Sequence, residues 1–282
     1  MLKQRVITAI AMLAVLLPAL FYSTPFPFCL VALVMIAASG WEWGRLNGCA
    51  QGVSVLLAFA TALLCALSWY FGLLEKPMQT LWVVVGAAWV LAGSWLLRQG
   101  VPGWSRIPQS FRLLGGVVML FLAWLAIAQA RVMGINFLLS ILLLVWAADI
   151  SAYFAGRAFG GRFSKSKLAP GISPGKSWEG VWGGMAGVVV LAFAWLALDR
   201  QMAGFGGSLY SQLWAQHGAI VMLLAVVFLA AMSVVGDLVE SLIKRSAGAK
   251  DSSGLLPGHG GVLDRVDALL PTLPLAMMLV SF

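Results

Sequence analysis

Apolar segments long enough, or nearly long enough, to cross a lipid bilayer recur along the whole chain. There are nine of them, and 61% of the 282 residues are hydrophobic whereas 10% are charged. A soluble fold of this length has no interior large enough for so much apolar surface, and a helical span needs about 17–25 apolar residues. We therefore predict an all-α integral membrane protein, a polytopic bundle of about nine transmembrane helices forming a single domain over residues 1–282. The predicted spans are 6–22, 26–41, 52–72, 80–97, 114–130, 133–155, 180–198, 218–236 and 262–282.

The basic residues predict the orientation of this bundle. With a cytoplasmic N-terminus, a retained first helix and nine spans, all but three of the 18 Lys and Arg residues fall on one side of the membrane. An excess of Lys and Arg marks the cytoplasmic side. We expect a multi-pass protein of the cell inner (cytoplasmic) membrane whose active site faces the cytoplasm. Topology then accounts for the net charge of +8, and no nucleic-acid partner is expected. The three exceptions are Lys76, Arg131 and Arg200.

The first of two charged segments in the second half covers residues 149–180. Asp149 interrupts an apolar helix, which usually marks a site or a buried pair, and Tyr153 follows one helical turn later. The loop after this helix sets bases and hydroxyls among glycines and prolines, a composition suited to a phosphate chain. Ordinary cytoplasmic topology or contact with anionic lipid headgroups explains the same lysines. The polar loop residues are Lys165, Lys167, Ser173 and Lys176.

The second charged segment, residues 237–267, contains two pairs of acids. Asp237 and Glu240 are three residues apart as the eighth predicted helix leaves the membrane, and Asp264 and Asp267 have the same spacing at the start of the last. Two carboxylate pairs on facing helices predict oxygen ligands for a hard cation, Mg²⁺, with a second cation as an option. The alternative is a salt-bridge network that pins the two helix ends, for example from Asp264 to Arg245.

Polar groups surround these acids in the sequence. Ser241 and Lys244 lie on the same helical stripe as Asp237. The turn at residues 257–261, Pro-Gly-His-Gly-Gly, exposes backbone N–H groups, and His259 within it is a candidate for contacting phosphate or ordering the loop.

The second segment also matches a known signature at every fixed position, and on these residues the chain resembles the phosphatidate cytidylyltransferases, or CDP-diacylglycerol synthases. The strings AYFAGRAFGG and SPGKSWEG resemble the cytoplasmic loop of that family, so the resemblance covers about residues 145–282, whereas residues 1–130 carry no motif. The signature residues are Ser241, Lys244, Arg245, Lys250, Asp251, Pro257, His259, Gly260, Gly261, Asp264, Arg265, Val266 and Asp267.

The resemblance implies an enzyme of phospholipid biosynthesis. It would transfer CMP from CTP to phosphatidic acid with Mg²⁺, among membrane lipids, and a homodimer is compatible with a helical membrane enzyme. The expected metal ligands are Asp237, Glu240, Asp264 and Asp267. The expected catalytic cations are Lys244, Arg245 and Lys250, and the expected substrate contacts are Asp149, Tyr153, Lys167, Ser173, Lys176, Ser241, His259, Gly260, Gly261 and Arg265.

Two other functions fit parts of the pattern. Acids within membrane helices also mark the ion pathways of transporters, but most of the ten acids lie after residue 145 and no related repeat appears in the first half. A CTP-dependent lipid kinase shares the triphosphate chemistry but transfers the γ-phosphoryl group. The complete signature favours the cytidylyltransferase.

Overall fold

The computed structural model describes residues 2–201 and 206–282, with side chains from Gln4 onward, and they form a nearly all-α bundle. Eight helices in these ranges are long and apolar enough to cross a membrane. The prediction of an all-α polytopic bundle is confirmed. The helices are α1 Leu2–Phe21, α2 Phe26–Leu46, α3 Gln51–Tyr70, α4 Gln79–Arg106, α5 Gln109–Met133, α6 Ile135–Phe159, α7 Trp178–Gln201, α8 Leu209–Ser246, α9 Leu263–Val266 and α10 Leu269–Val280.

The ninth predicted span differs from the other eight. It consists of the short α9 and the 12-residue α10, and α10 packs against α4, α5, α6 and α8. A 12-residue helix is about 18 Å long, shorter than the roughly 30 Å hydrocarbon core. The helical hydrogen bonding is interrupted at Asp267 and Ala268, between α9 and α10, where Pro271 has no N–H to donate to the carbonyl of Asp267. The last apolar segment is therefore a central, largely buried element of the bundle.

Helix α8 extends well beyond its predicted span of 218–236. Gly218 adopts φ 80°, a left-handed conformation that separates the first residues of α8 from the rest. From there the helix continues to Ser246, and its last turns carry Asp237 and Lys244. Gly236 lies where α8 packs tightly against the start of α10, since a Cβ atom there would come 2.5 Å from the carbonyl oxygen of Asp267 and 2.8 Å from the ring of Pro271. This contact places the two charged stretches side by side.

The loop between α6 and α7 contains a β-hairpin that the sequence did not predict. Strands β1 (Lys167–Ala169) and β2 (Ser173–Ser177) are antiparallel, with Lys167 opposite Ser177 and Ala169 opposite Ser173. The Pro170-Gly171 pair between them suits a tight turn. Strand β2 packs against α7 and α8, so the hairpin holds its polar residues beside the end of α8.

Polar contacts join the loops at one end of the bundle. Arg131 donates to the carbonyls of Leu20 and Tyr22 at 3.1 and 2.6 Å, and Gln129 donates to the carbonyl of Lys76 at 3.0 Å. Arg131 is 5% exposed. The sequence predicted Arg131 as one of three bases on the outer side of the membrane. In the structure its guanidinium joins the α1–α2 connection to α5.

Candidate active site

The candidate active site lies at the opposite end, where three parts of the chain meet. They are the last turns of α8, the β-hairpin and the segment of residues 250–267. The central side chain is Lys244, whose Nζ lies 2.6 Å from Oε2 of Glu240 and 2.6 Å from Oδ1 of Asp264. The side chains of Lys244 and Asp264 are 11% and 4% exposed. The contact to Glu240 is an ion pair without a well-aligned hydrogen bond.

Both oxygens of Asp264 are engaged by the protein. While Oδ1 faces Lys244, Oδ2 accepts hydrogen bonds from the N–H of Ser252 at 2.9 Å, its hydroxyl at 2.9 Å and the N–H of Gly261 at 2.7 Å. Asp264 lies in α9, outside the eight membrane-length helices. Burial raises the pKa of its carboxyl, but the Lys244 ammonium and the backbone N–H groups outweigh burial and lower the pKa to about 2. Asp264 is therefore an ionised carboxylate held in an internal network.

This network corrects one detail of the salt-bridge alternative. The base that pairs with Asp264 is Lys244 and not Arg245, which is exposed and donates to the carbonyls of Ile172 and Ala249 at 3.5 and 3.2 Å. Successive residues of a helix point in different directions, so only Lys244 faces α9. Arg245 instead links the end of α8 to the turn of the hairpin.

A second ion pair joins the hairpin to α8. The ammonium of Lys176 on β2 lies 2.6 Å from Oδ2 of Asp237, and the hydroxyl of Ser241 donates to Oδ1 of Asp237 at 3.2 Å. The two charged side chains are 26% and 33% exposed, so this pair is accessible where the Lys244 cluster is closed. The structure thus brings a base of the first charged segment to an acid of the second.

Asp267 lies close to this accessible pair. Burial raises the pKa of its carboxyl, and the nearby charge of Asp237 raises it further. Its Oδ1 accepts a hydrogen bond from the N–H of Ala268 at 2.7 Å. Asp237 is paired with the Lys176 ammonium, yet its charge still raises the pKa of the Asp267 carboxyl, which favours a further cation or a proton beside the two acids. Asp149, on α6, is also near enough for its charge to interact with Asp237 and Lys176.

The described residues contain no group of three or more His, Cys, Asp or Glu side chains arranged to hold a metal ion. Of the four expected ligands, Glu240 and Asp264 are bound to Lys244, and Asp237 and Asp267 lie on the accessible side. The charge of Asp267 acts on Glu240 as well as on Asp237, so the four acids form one electrostatic cluster, and their role as metal ligands stays a prediction. Magnesium commonly uses one or two carboxylates and completes its shell with substrate phosphates and water.

The predicted glycine turn forms, but it does not leave all of its N–H groups free, because the N–H of Gly261 donates to Asp264. Gly258 and Gly260 adopt φ of 78° and 82°, which only glycine enters readily. The N–H of His259 donates to the carbonyl of Leu256 at 2.8 Å, and its half-buried side chain leaves Nδ1 without a partner among the described residues. The remaining predicted contacts Lys167, Lys250, Arg265 and Tyr153 are exposed, and Ser173 begins β2.

Comparison with known proteins agrees with this geometry. The model of a cytidylyltransferase family matches residues 3–282. The chain belongs to the cytidylyltransferase family. Its relatives include proteins named phosphatidate cytidylyltransferase from Haemophilus influenzae, 38% identical over 97% of this chain and 96% of the relative, and from Pseudomonas aeruginosa, 37% identical over 97% and 95%. A protein of the same name from Brucella abortus is 34% identical over 95% of this chain and 89% of the relative.

Family membership extends over residues in which the sequence analysis found no motif. One of them, Glu42 of α2, is fully buried and accepts hydrogen bonds from Ser252, Ser253, Val262 and Leu263. An acid within an apolar helix was the available signal. The predicted second span ended at residue 41, so Glu42 fell in a loop and was not considered. Ser252, which joins Glu42 to Asp264, lies in the second charged segment and was missed because its partner Glu42 is 210 residues away in the sequence.

Proposed function

We propose that this cytidylyltransferase transfers CMP from CTP to phosphatidic acid and releases pyrophosphate, the activity that the name of its relatives describes. The observation that carries the proposal is the Lys244 network. It joins the two halves of the signature, the end of α8 and residues 250–267, into one polar site at the end of an apolar bundle. Beside the accessible Lys176–Asp237 pair, this site would receive a lipid phosphate from the bilayer and a soluble nucleotide from the adjoining aqueous phase.

In the proposed reaction, an oxygen of the lipid phosphate attacks the α-phosphorus of CTP. A new P–O bond forms as the bond from the α-phosphorus to the bridging oxygen breaks, and pyrophosphate leaves with the electron pair. A phosphate is largely ionised near pH 7, so the nucleophile requires little help from a general base. Positioning and charge neutralisation then carry catalysis. The charge is neutralised by the exposed cations Lys167, Lys250 and Arg265 and by the partly exposed Lys176.

We assign Mg²⁺ to Asp237 and Asp267, the two acids of the four that form no ion pair with Lys244. The raised pKa of Asp267 beside the charge of Asp237 fits a place where a cation relieves repulsion. Bound there, Mg²⁺ would neutralise charge on the triphosphate. The engaged oxygens of Asp264 favour its alternative role in the internal network, and Glu240 shares that role through Lys244. The end of α8 would hold the nucleotide against β2, where Lys176 contacts phosphate.

Labelled CTP tests the reaction. Purified protein with phosphatidic acid, Mg²⁺ and CTP labelled at the α-phosphorus is expected to give labelled lipid, and CTP labelled at the γ-phosphorus is expected to give labelled pyrophosphate. Entry of the γ-label into lipid would identify a kinase instead. Omission of phosphatidic acid is the control, and label in the lipid fraction without it would point to a different acceptor.

We further propose that the site faces the cytoplasm from the inner membrane. The test uses a Cys49→Ser background, in which the remaining cysteines are buried. Ser166→Cys, in the loop between α6 and α7 just before β1, should resist a membrane-impermeant thiol reagent in intact cells. Glu75→Cys, between α3 and α4 at the other end, should react. The opposite pattern would invert the orientation. A homodimer remains our expectation for the purified protein, and light scattering of its detergent complex measures the mass.

We predict that Lys176→Gln lowers kcat/KM for CTP by roughly 10- to 1,000-fold, about 1.4–4 kcal/mol of transition-state stabilisation. The reason is that the variant lacks the ammonium beside Asp237. Added Mg²⁺ cannot replace this ammonium. Steady-state assays across Mg²⁺ concentrations measure the effect. Lys165→Gln, an exposed base before the same hairpin, is the matched control. Equal, small losses in both variants would mean that these lysines serve topology only.

A further inference from the structure

Glu42 is a buried charged residue of the bundle that the proposed reaction does not use. It lies within α2, and its side chain is 0% exposed. The three ion pairs of the described residues do not include it. A buried carboxylate without a cation is costly unless hydrogen-bond donors replace its hydration. The donors around Glu42 therefore determine what the residue does.

Four donors from one loop surround the carboxylate. Oε1 accepts from the N–H of Val262 at 2.9 Å and from the hydroxyl of Ser253. Oε2 accepts from the N–H of Leu263 at 2.7 Å and lies 3.2 Å from the hydroxyl of Ser252, whose single proton is shared between Glu42 and Asp264. The two serines begin the stretch that contains the glycine turn, and the two backbone donors follow its end. One carboxylate thus joins both ends of residues 252–263.

We propose that Glu42 is a positioning residue for CMP transfer, which fixes the loop of residues 252–263 in its reactive shape. The inference rests on the proposed function. The loop presents His259 and Gly260, and its first serine also contacts Asp264 at 2.9 Å. Through Ser252, Glu42 is coupled to the Asp264–Lys244 pair. A helix of the N-terminal half therefore sets the geometry of a signature that lies more than 200 residues later.

The packing at Gly261 shows how closely the loop fits the carboxylate. A Cβ atom at this position would lie 1.9 Å from Oγ of Ser252 and 2.4 Å from Oε1 of Glu42. Side-chain atoms do not approach so closely, so any residue larger than glycine displaces the loop from Glu42. The second glycine of the His-Gly-Gly turn is thereby explained by close approach to Glu42 and Ser252.

The geometry distinguishes a carboxylate from an amide. Each oxygen of Glu42 accepts from one backbone N–H, which can only donate, and faces one serine hydroxyl, which can turn to accept. The isosteric Glu42→Gln must therefore direct its NH₂ group at a backbone N–H of Val262 or Leu263 and lose that hydrogen bond. The loop then loses one anchored end while the volume of the side chain is kept. A displacement of about 1 Å in a reacting group can cost on the order of 100-fold in rate.

The test combines kinetics with hydrogen exchange on the full-length protein in detergent. Glu42→Gln is expected to lower kcat/KM for CMP transfer by roughly 10- to 100-fold, with a raised KM for CTP or phosphatidic acid. Backbone amides of residues 252–263 should exchange faster, while those of α5 and α7 keep their rates. Ser253→Ala removes one donor and should change both readouts in the same direction to a smaller extent. Glu75→Gln, an exposed glutamate at the other end, is the matched control.

Additivity decides between positioning and general destabilisation. If Glu42 acts through the loop, Ser253→Ala costs less in the Glu42→Gln background than in the wild type. Additive losses, or unchanged exchange in residues 252–263, would overturn the proposal. If Glu42→Gln does not fold, unchanged exchange and kinetics in Ser253→Ala would overturn it. A wild-type protein without CMP transfer would refute the proposed function. Hydrogen exchange of residues 252–263 in Glu42→Gln would then still test whether Glu42 anchors the loop.

Discussion

Lys244→Met is expected to have the largest effect on the stability of this protein. The ammonium lies 2.6 Å from both Glu240 and Asp264, and its removal leaves two buried carboxylates without a cation. Breaking a buried pair by removing one partner typically costs about 3–5 kcal/mol. We expect a loss of this order in the free energy of unfolding, with CMP transfer abolished. Thermal or denaturant unfolding in detergent, together with the labelled-CTP assay, measures the two effects.

The controls for this prediction separate charge from size. Lys250→Met changes an exposed base of the same segment and should alter the free energy of unfolding by less than about 0.5 kcal/mol. Adding Glu240→Gln to Lys244→Met removes one unpaired charge, so stability should partly return while transfer does not. A Lys244→Met protein as stable as the wild type would show that solvent reaches the cluster and that its members are not a structural unit.

Asp237→Asn is expected to have the largest effect on catalysis without loss of stability. Asp237 is one third exposed, and its charge raises the pKa of the neighbouring Asp267 carboxyl, so its removal relieves repulsion in the folded protein. The same change removes a proposed Mg²⁺ ligand. We expect kcat/KM to fall by on the order of 1,000-fold, as for other groups that stabilise charge in a transition state. Transfer rates measured across a range of Mg²⁺ concentrations should show a higher Mg²⁺ requirement.

Asp264→Asn provides the comparison. Both oxygens of Asp264 accept hydrogen bonds from donors within the protein. In Asp264→Asn an NH₂ group replaces one of these oxygens, so two donors would face each other. We expect this variant to lose stability and transfer together, with the Mg²⁺ requirement of the residual activity unchanged. A shifted Mg²⁺ requirement in Asp264→Asn, with none in Asp237→Asn, would return Asp264 to the metal site and remove Asp237 from it.

The sequence by itself determined the class of the fold and the location of the site along the chain. Apolar runs of membrane length predict helices, because backbone groups in lipid must be satisfied within each segment. The spacing of Asp237, Ser241 and Lys244 along one helix places them on a common stripe, and the structure brings Asp237 and Ser241 into contact. Such local periodicity requires no knowledge of how the helices pack.

Only the tertiary structure decided which charges meet. Sequence spacing did not distinguish Lys244 from Arg245 as the partner of Asp264, because the choice depends on the rotation of α8 relative to α9. It also gave no reason to join Glu42 to Ser252 or Lys176 to Asp237, since these pairs lie on separate elements. Contacts between distant segments follow from helix packing and from the close approach of α8 and α10 at Gly236. That packing is a property of the whole bundle, whereas helical spacing is a property of each segment alone.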